Sequence, residues 1–388
     1  MSNPQVLDMG QIRQNYNLVN YAVLFSFIDM LFIPRLMYPV AIPISMLFML
    51  IICFSFKYKK ENIVIAFIFI VSIILTLNYS LLLGGEYITD NIKRALQFIS
   101  FFSYLIVAYR AKYNINYYVW IIRIFFAWIF ILSILFILNP AEVISVISRI
   151  YPESVYIQDS NLINLRFSYI FQDPNGAGYF YSMIFVCYLI IEKNWKVKYL
   201  FLFLFLFSLL MTQSRGAILS AFCFLIVIFI FDRKYLPKYF YVIPLILVPI
   251  VIYYIMQLDD VMNIFKMLES RGDNESSLGG GRYYKYIYML DNFNFKPFGI
   301  GYNITVNDVI FKPHSDFIML VLSYGIIVLV IFFYMICPRI KEQAYLFIPF
   351  IFGFLINSIL DEYRLICVFF ILTGLLYENY KVQKRDKI

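Results

Sequence analysis

The chain has 388 residues, 62% of them hydrophobic and 14% charged, with a formal net charge of +8 and one histidine. Its mean hydropathy is +0.77. Soluble domains run nearer half apolar and a quarter charged, so a water-soluble fold is set aside. The basic excess is scattered among short connections rather than clustered, so nucleic acid is not an expected partner.

Apolar runs long enough to cross a hydrocarbon core of about 30 Å recur along the chain. Windowed hydropathy places about twelve helices, at roughly 18–34, 36–56, 62–83, 93–110, 118–138, 177–192, 198–213, 215–231, 239–256, 315–337, 343–360 and 364–380. Long runs, rather than alternating segments of about ten residues, give an all-α polytopic bundle and not a barrel. The first 17 residues are polar with one Arg, so no cleavable signal peptide is expected. Cys53, Cys187, Cys223, Cys337 and Cys367 all lie in apolar stretches without ligand spacing. That reads as packing rather than disulfides or zinc.

The basic residues set the orientation. Arg13, the Lys57–Lys60 stretch, Arg110 and Lys112, Lys193 to Lys198, Arg233 to Lys238, Arg339 and Lys341, and the tail from Lys381 fall on one side of the alternating spans. The short connections on the other side hold only Arg35, Lys93, Arg94, Arg215 and Arg364. The positive-inside rule then puts both termini in the cytoplasm. The chain divides into N-terminal helices (1–138), a first outer loop (139–176), central helices (177–256), a large outer loop (257–314), and C-terminal helices with a tail (315–388). Inner connections are all short. Long loops are uncommon unless functional, so the chemistry is expected on the outer, periplasmic face.

Three stretches at outer helix mouths each carry a basic group. In "TQSRGAIL" (212–219), Ser214 is a plausible N-cap and Arg215 sits in the first helical turn. A helix N-terminus favours anions, so a cation there is unfavourable unless an anion joins it. An Arg snorkelling to the interface would also account for it. In "SSLGGGRYYKYIYML" (276–290), three glycines precede Arg282; they permit a close backbone approach or form a hinge. In "FKPHSDFIML" (311–320), Pro313 ends a loop, Ser315 or Asp316 can cap the next helix, and His314 lies just before it. The helix dipole favours a neutral imidazole able to accept a proton, although an interfacial His needs no such role. Two Arg forks suit a diphosphate, and a neutral His suits a hydroxyl. No carboxylate cluster with metal-ligand spacing accompanies them, so no metal or other cofactor is required.

"SILDEYR" (358–364) offers Asp361 and Glu362 to orient His314 or bind a sugar hydroxyl; a solvated turn paired with Arg364 is the plainer reading. "RFSYIFQDPNGAGYF" (166–180) ends the first outer loop in a strong turn signal. Its Arg166, Gln172, Asp173 and Asn175 beside aromatics would suit a glycan. Asp29 and Arg123 fall inside apolar spans, where charge is costly and usually paired or functional. They pair with each other or line a cavity.

"TQSRGAIL", "GGGRYYKYIYMLDNFNFKPFGIGYN" and "PHSDFIMLVLSYGIIVL", in this order with a long outer loop between first and last, resemble the O-antigen polymerase and O-antigen ligase superfamily. The resemblance covers about 166–364; the first five helices match only in hydropathy. It implies a GT-C-like, metal-independent glycosyltransferase of the bacterial inner membrane, making lipopolysaccharide or a related surface polysaccharide. Its partners would be donor and acceptor glycans on undecaprenyl diphosphate, within membrane lipid, with room for a chain-length regulator protein. By the family pattern Arg215 and Arg282 hold the diphosphate and His314 assists the acceptor hydroxyl. Asp361 falls where ligases carry a functional Asp, although the following "EYR" departs from that pattern. "FSYIFQDPNGAGYF" looks more like polymerases, which join repeat units, than ligases, which transfer the glycan to lipid A–core. A polysaccharide flippase, also a bundle of about twelve helices, is the alternative of another class.

Overall fold

A computed structural model describes residues 4–33, 44–54, 56, 60–82, 88–151, 166–171, 173–236, 297–299, 305–306, 309–310 and 315–385. Within them the chain is built of helices: α1 (Pro4–Phe32), α2 (Ile44–Phe54), α3 (Lys60–Leu82), α4 (Ile88–Ala108), α5 (Ile115–Leu138) and α6 (Pro140–Ile150). Then come α7 (Pro174–Ile191), α8 (Trp195–Met211), α9 (Arg215–Phe231), α10 (Asp316–Tyr324), α11 (Ile326–Ile336), α12 (Lys341–Ile356) and α13 (Tyr363–Arg385). A two-residue antiparallel pairing joins Thr305–Val306 to Val309–Ile310.

Helix starts follow local chemistry. Asn139 accepts from the Glu142 N–H and donates to its carboxylate, ahead of Pro140 in the first turn. Asp173 precedes Pro174 and accepts from Asn175 N. Asn194 accepts from Lys196 and Val197, and Ser214 from Ala217.

Helix α7 is the centre of the bundle, with 17 residues buried from Pro174 to Ile191. It packs against α5, α8, α9, α12 and α13. Its "GAGYFYS" face lets neighbours come close: a Cβ at Gly178 would lie 2.6 Å from the Ala217 Cβ on α9. Such small-residue contacts bring helices together where lipid provides no hydrophobic drive. Large apolar side chains remain exposed on the outer helices, among them Phe54, Phe67, Trp120, Ile226 and Val330. Among the described residues three helices, Ile115–Leu138, Pro174–Ile191 and Tyr363–Arg385, are long and apolar enough to cross a membrane, and several shorter ones are strongly apolar.

The structure modifies four expectations. The run 315–337 is two helices, broken at Gly325, whose φ of 88° an L-residue rarely adopts. Thr76 on α3 donates to the freed Tyr324 carbonyl, and Pro297–Gly299 packs on the break so closely that a Cβ at Gly299 would overlap Ser323. Non-helical backbone inside a bundle survives because protein covers it. Secondly, part of the first outer loop is helical: α6 turns Val143, Ile144 and Ile147 inward and Glu142 and Arg149 outward. Thirdly, α1 begins at Pro4, within the polar stretch before the first apolar run. Lastly, Asp29 and Arg123 do not pair. Arg123 forms an ion pair with Glu192 just beyond α7 and lies over Trp120. The Asp29 carboxylate accepts from Ser45 N in the first turn of α2, a favoured place for an anion. The expected span 239–256 lies outside the described residues.

The bundle has two chemically distinct ends. One gathers Tyr109, Asp232, Tyr235, Arg339, Lys341, Gln343 and Tyr345. Lys341 and Tyr345 meet Asp232, Tyr235 donates to Glu342, and Gln343 donates to Tyr109. These belong to the basic connections assigned to the inner side. The other end carries the polar motifs of the outer loops.

Candidate functional site

At that second end, four segments far apart in sequence are tied by one chain of hydrogen bonds. Arg166 Nε donates to the Thr212 carbonyl at the C-terminus of α8 (3.1 Å), and Arg166 Nη2 to Asn175 Oδ1 (3.3 Å). Asn175 donates through its backbone N and its Nδ2 to Asp173 Oδ1, both at 2.9 Å. Asn357 Nδ2 donates to Asp173 Oδ2 (3.3 Å), and the Asn357 carbonyl accepts from Asp316 N (3.2 Å). Asp316 Oδ2 then accepts from Leu360 N (2.9 Å). The Asp-Pro-Asn turn, the α8–α9 corner, the mouth of α10 and the Ser-Ile-Leu-Asp turn thus form one polar floor.

Arg215 is the first residue of α9, capped by Ser214 as expected, and its side chain is exposed. It makes no hydrogen bond or ion pair with the described residues. Arg166, Asp173 and Asn175 do meet, through bonds that organise backbone as well as side chains. Asp361 closes the 3₁₀ turn Ile359–Asp361, and Glu362 follows it, half-buried. Gln172, Arg282 and His314 lie outside the described residues.

Arg364 is not in a solvated turn. It is 1% exposed, and its guanidinium donates to the carbonyls of Asp29 (3.2 Å), Met30 (3.0 Å) and Ile33 (2.7 Å) at the C-terminus of α1. The Asp29 carbonyl also accepts from Ile33 N (3.1 Å); the carbonyls of Met30 and Ile33 lie past the last such bond, and a cation suits that end of the dipole. Ser315 is the N-cap of α10 by position but makes no side-chain cap bond; the Asp316 carboxylate points instead to the turn before α13.

Asn357, Asp316 and Thr212 were not among the expected site residues. Asn357 had a visible signal, a polar residue closing the apolar run before "SILDEYR". Of the two non-glycine residues with positive φ among those described, Gln213 (48°) lies at the α8–α9 corner of this floor and Tyr169 (54°) in the segment between Arg166 and Asp173. Backbone strain tends to collect where geometry is set by function.

Electrostatically, three helix N-termini meet here and they are not alike. Carboxylates stand at two of them, Asp173 at α7 and Asp316 at α10. The first turn of α9 has no acidic residue and begins with Arg215 instead, with the Arg166 guanidinium on the carbonyl three residues earlier. A helix dipole and an exposed guanidinium both attract negative charge.

Fold and site together define a multi-pass helical membrane protein with a polar floor at one end of the bundle. Residues 200–333 match the sequence model of the O-antigen ligase family. The match runs from within α8 across the α9 mouth to α11, takes in all three motifs, and supports the resemblance to the O-antigen polymerase and O-antigen ligase superfamily. A comparison with curated proteins gives no match.

Proposed function

We propose that the protein is a polymerase that joins undecaprenyl-diphosphate-linked oligosaccharide repeat units into O-antigen or a related surface polysaccharide, at the periplasmic face of the bacterial inner membrane. On this reading the whole chain is a GT-C-like bundle of about twelve transmembrane helices. The observation that carries the proposal is the α9 mouth: an exposed Arg215 on a helix N-terminus lacking an acidic neighbour in its first turn, beside Arg166. The family match across this mouth supports the substrate class.

In the reaction the acceptor hydroxyl oxygen attacks the anomeric carbon of the donor glycan. The carbon–oxygen bond to the diphosphate breaks, and its electron pair leaves on undecaprenyl diphosphate. Arg215 and Arg282 hold that developing charge, and His314, oriented by Asp361, takes the hydroxyl proton. Arg166, Asp173, Asn175 and Glu362 shape the glycan side of the floor. The leaving group is already good, so positioning and charge stabilisation are the main demands.

Ligation to lipid A–core is the second reading, favoured by the family's description as O-antigen ligase. A deletion strain separates the two. Loss of a polymerase leaves lipid A–core capped with a single unit; loss of a ligase leaves bare core with long polymer on the lipid carrier. The expected result is the one-unit band, restored by the intact protein and not by His314→Ala, with a loss of at least about 10²-fold. Bare core with stranded polymer would establish the ligase reading instead. Bare core with single units trapped on the inner leaflet would overturn both.

A further inference from the structure

The hydrogen-bond chain across the floor does something that neither diphosphate binding nor proton transfer requires: it fixes the distance between two helix mouths. Asp316 is 1% exposed and is held at two points. Its backbone N–H is on the Asn357 carbonyl, and its carboxylate accepts from Leu360 N inside the 3₁₀ turn that ends at Asp361. Asn357 is anchored in turn by Asp173, whose other carboxylate oxygen holds the start of α7. The mouth of α10 therefore cannot slide relative to the Asp361–Glu362 turn without breaking partly buried bonds, which are costly to leave unmade. A buried acid in a first helical turn usually serves its own helix; this one reaches across to another segment.

We propose that Asp316 is a positioning residue, and that the Asp316–Leu360 and Asp173–Asn357 bonds form a latch setting the separation between the chain entering α10 and the turn carrying Asp361 and Glu362. The inference rests on the function proposed above. Any group at position 314 is tied to this anchor by two peptide units, a reach of about 7 Å. Misplacing a reacting group by about 1 Å costs on the order of 10²-fold in rate.

The test is the rate at which the polysaccharide ladder grows after induction in a deletion strain, normalised to membrane abundance and to the melting temperature of the solubilised protein. Asp316→Ala should slow growth by at least about tenfold, while Asp316→Asn, which keeps an acceptor oxygen for Leu360, should retain at least about a third of the rate. The latch offers a sharper rescue. Asn357→Asp opposes two carboxylates and should be strongly impaired. Adding Asp173→Asn exchanges donor and acceptor, so the double variant should grow faster than Asn357→Asp alone and no slower than Asp173→Asn alone, whether or not Asp316→Ala accumulates. Loss without rescue in the double variant, normal growth of Asp316→Ala, or rates that follow abundance alone would overturn the proposal. His314→Ala in the same assay keeps the two ideas apart. If that variant is inactive while the latch variants are normal, the latch is wrong and the chemistry stands. If it is active while the latch variants show loss and rescue, the latch stands without the assigned base.

Discussion

Replacing Arg364 offers the most direct measurement of what holds the polar end of the bundle together. The side chain is buried, and three of its N–H bonds go to the last carbonyls of α1. Asp29, whose carbonyl it holds, has a buried carboxylate engaged with the start of α2. Arg364→Ala therefore leaves the Met30 and Ile33 carbonyls without this donor and the Asp29 carbonyl with Ile33 N alone. A charge-assisted hydrogen bond contributes about 1.5–3 kcal/mol, and such terms are not additive. Losing the donor of at least two such bonds costs about 3–5 kcal/mol in all. Arg364→Lys keeps the charge but not the fork, so it should lose about one bond, roughly 1.5–3 kcal/mol.

Native cysteines provide the assay. Cys367, one turn along α13, and Cys187 on α7 are both fully buried, so a thiol reagent reaches them only when the bundle opens. With Cys53, Cys223 and Cys337 replaced by Ser, the labelling rate reports the opening free energy. Each 1.4 kcal/mol is tenfold, so Arg364→Ala should label roughly 100 to 4,000 times faster at both sites, and Arg364→Lys about 10 to 150 times faster. An Ala variant that labels within tenfold of the parent at both cysteines would refute the capping argument. Acceleration at Cys367 alone would confine the effect to local fraying of α13.

Three further outcomes are expected. Gly178→Ala forces a methyl group onto Ala217 and Ser214 and should cost about 1–3 kcal/mol in the same assay, while Gly176→Ala, whose nearest neighbour would be Phe171 at 3.9 Å, should change little. Arg215→Lys should lose at least about tenfold in ladder growth, because a point charge does not replace a bidentate fork on a diphosphate; full activity in Arg215→Ala would move the anion site elsewhere. At the opposite end, burial opposes ionisation of Asp232, but Lys341 and Tyr345 outweigh it and hold the carboxyl below its ordinary range. A depressed carboxyl stabilises the fold above the unfolded value of about 3.9 and loses that contribution as pH falls through the folded value. The stability gap between the parent and Asp232→Asn should therefore be present at pH 7 and close below about pH 4; a gap independent of pH would remove the ion pair from the account.

The parts of this molecule that were legible in the sequence are those governed by local chemistry. Ser214 caps its helix because a short polar side chain before an apolar run has few other options. The basic connections collect at one end because alternating spans oblige them to. The break at Gly325 was not legible, since a lone glycine in "LSYGIIVLV" is tolerated in a helix; it becomes a break because Thr76 and Pro297–Gly299 meet the freed backbone from distant parts of the chain. Asp29 and Arg123 were misjudged for a related reason: hydropathy places a charge in a span but not on a face. The partners of the two charges lie elsewhere, at the start of α2 and just beyond α7. The same distinction explains why the site was half visible. Its exposed cation, Arg215, announces itself by standing where a helix favours an anion. Asp316 and Asn357 act only through each other and through Asp173, across a separation of 184 residues in the longest link. Residues that recognise a ligand leave a local signature, because their chemistry is unusual for their position. Residues that hold the recognisers in place are ordinary for theirs, and only the fold shows which of them touch.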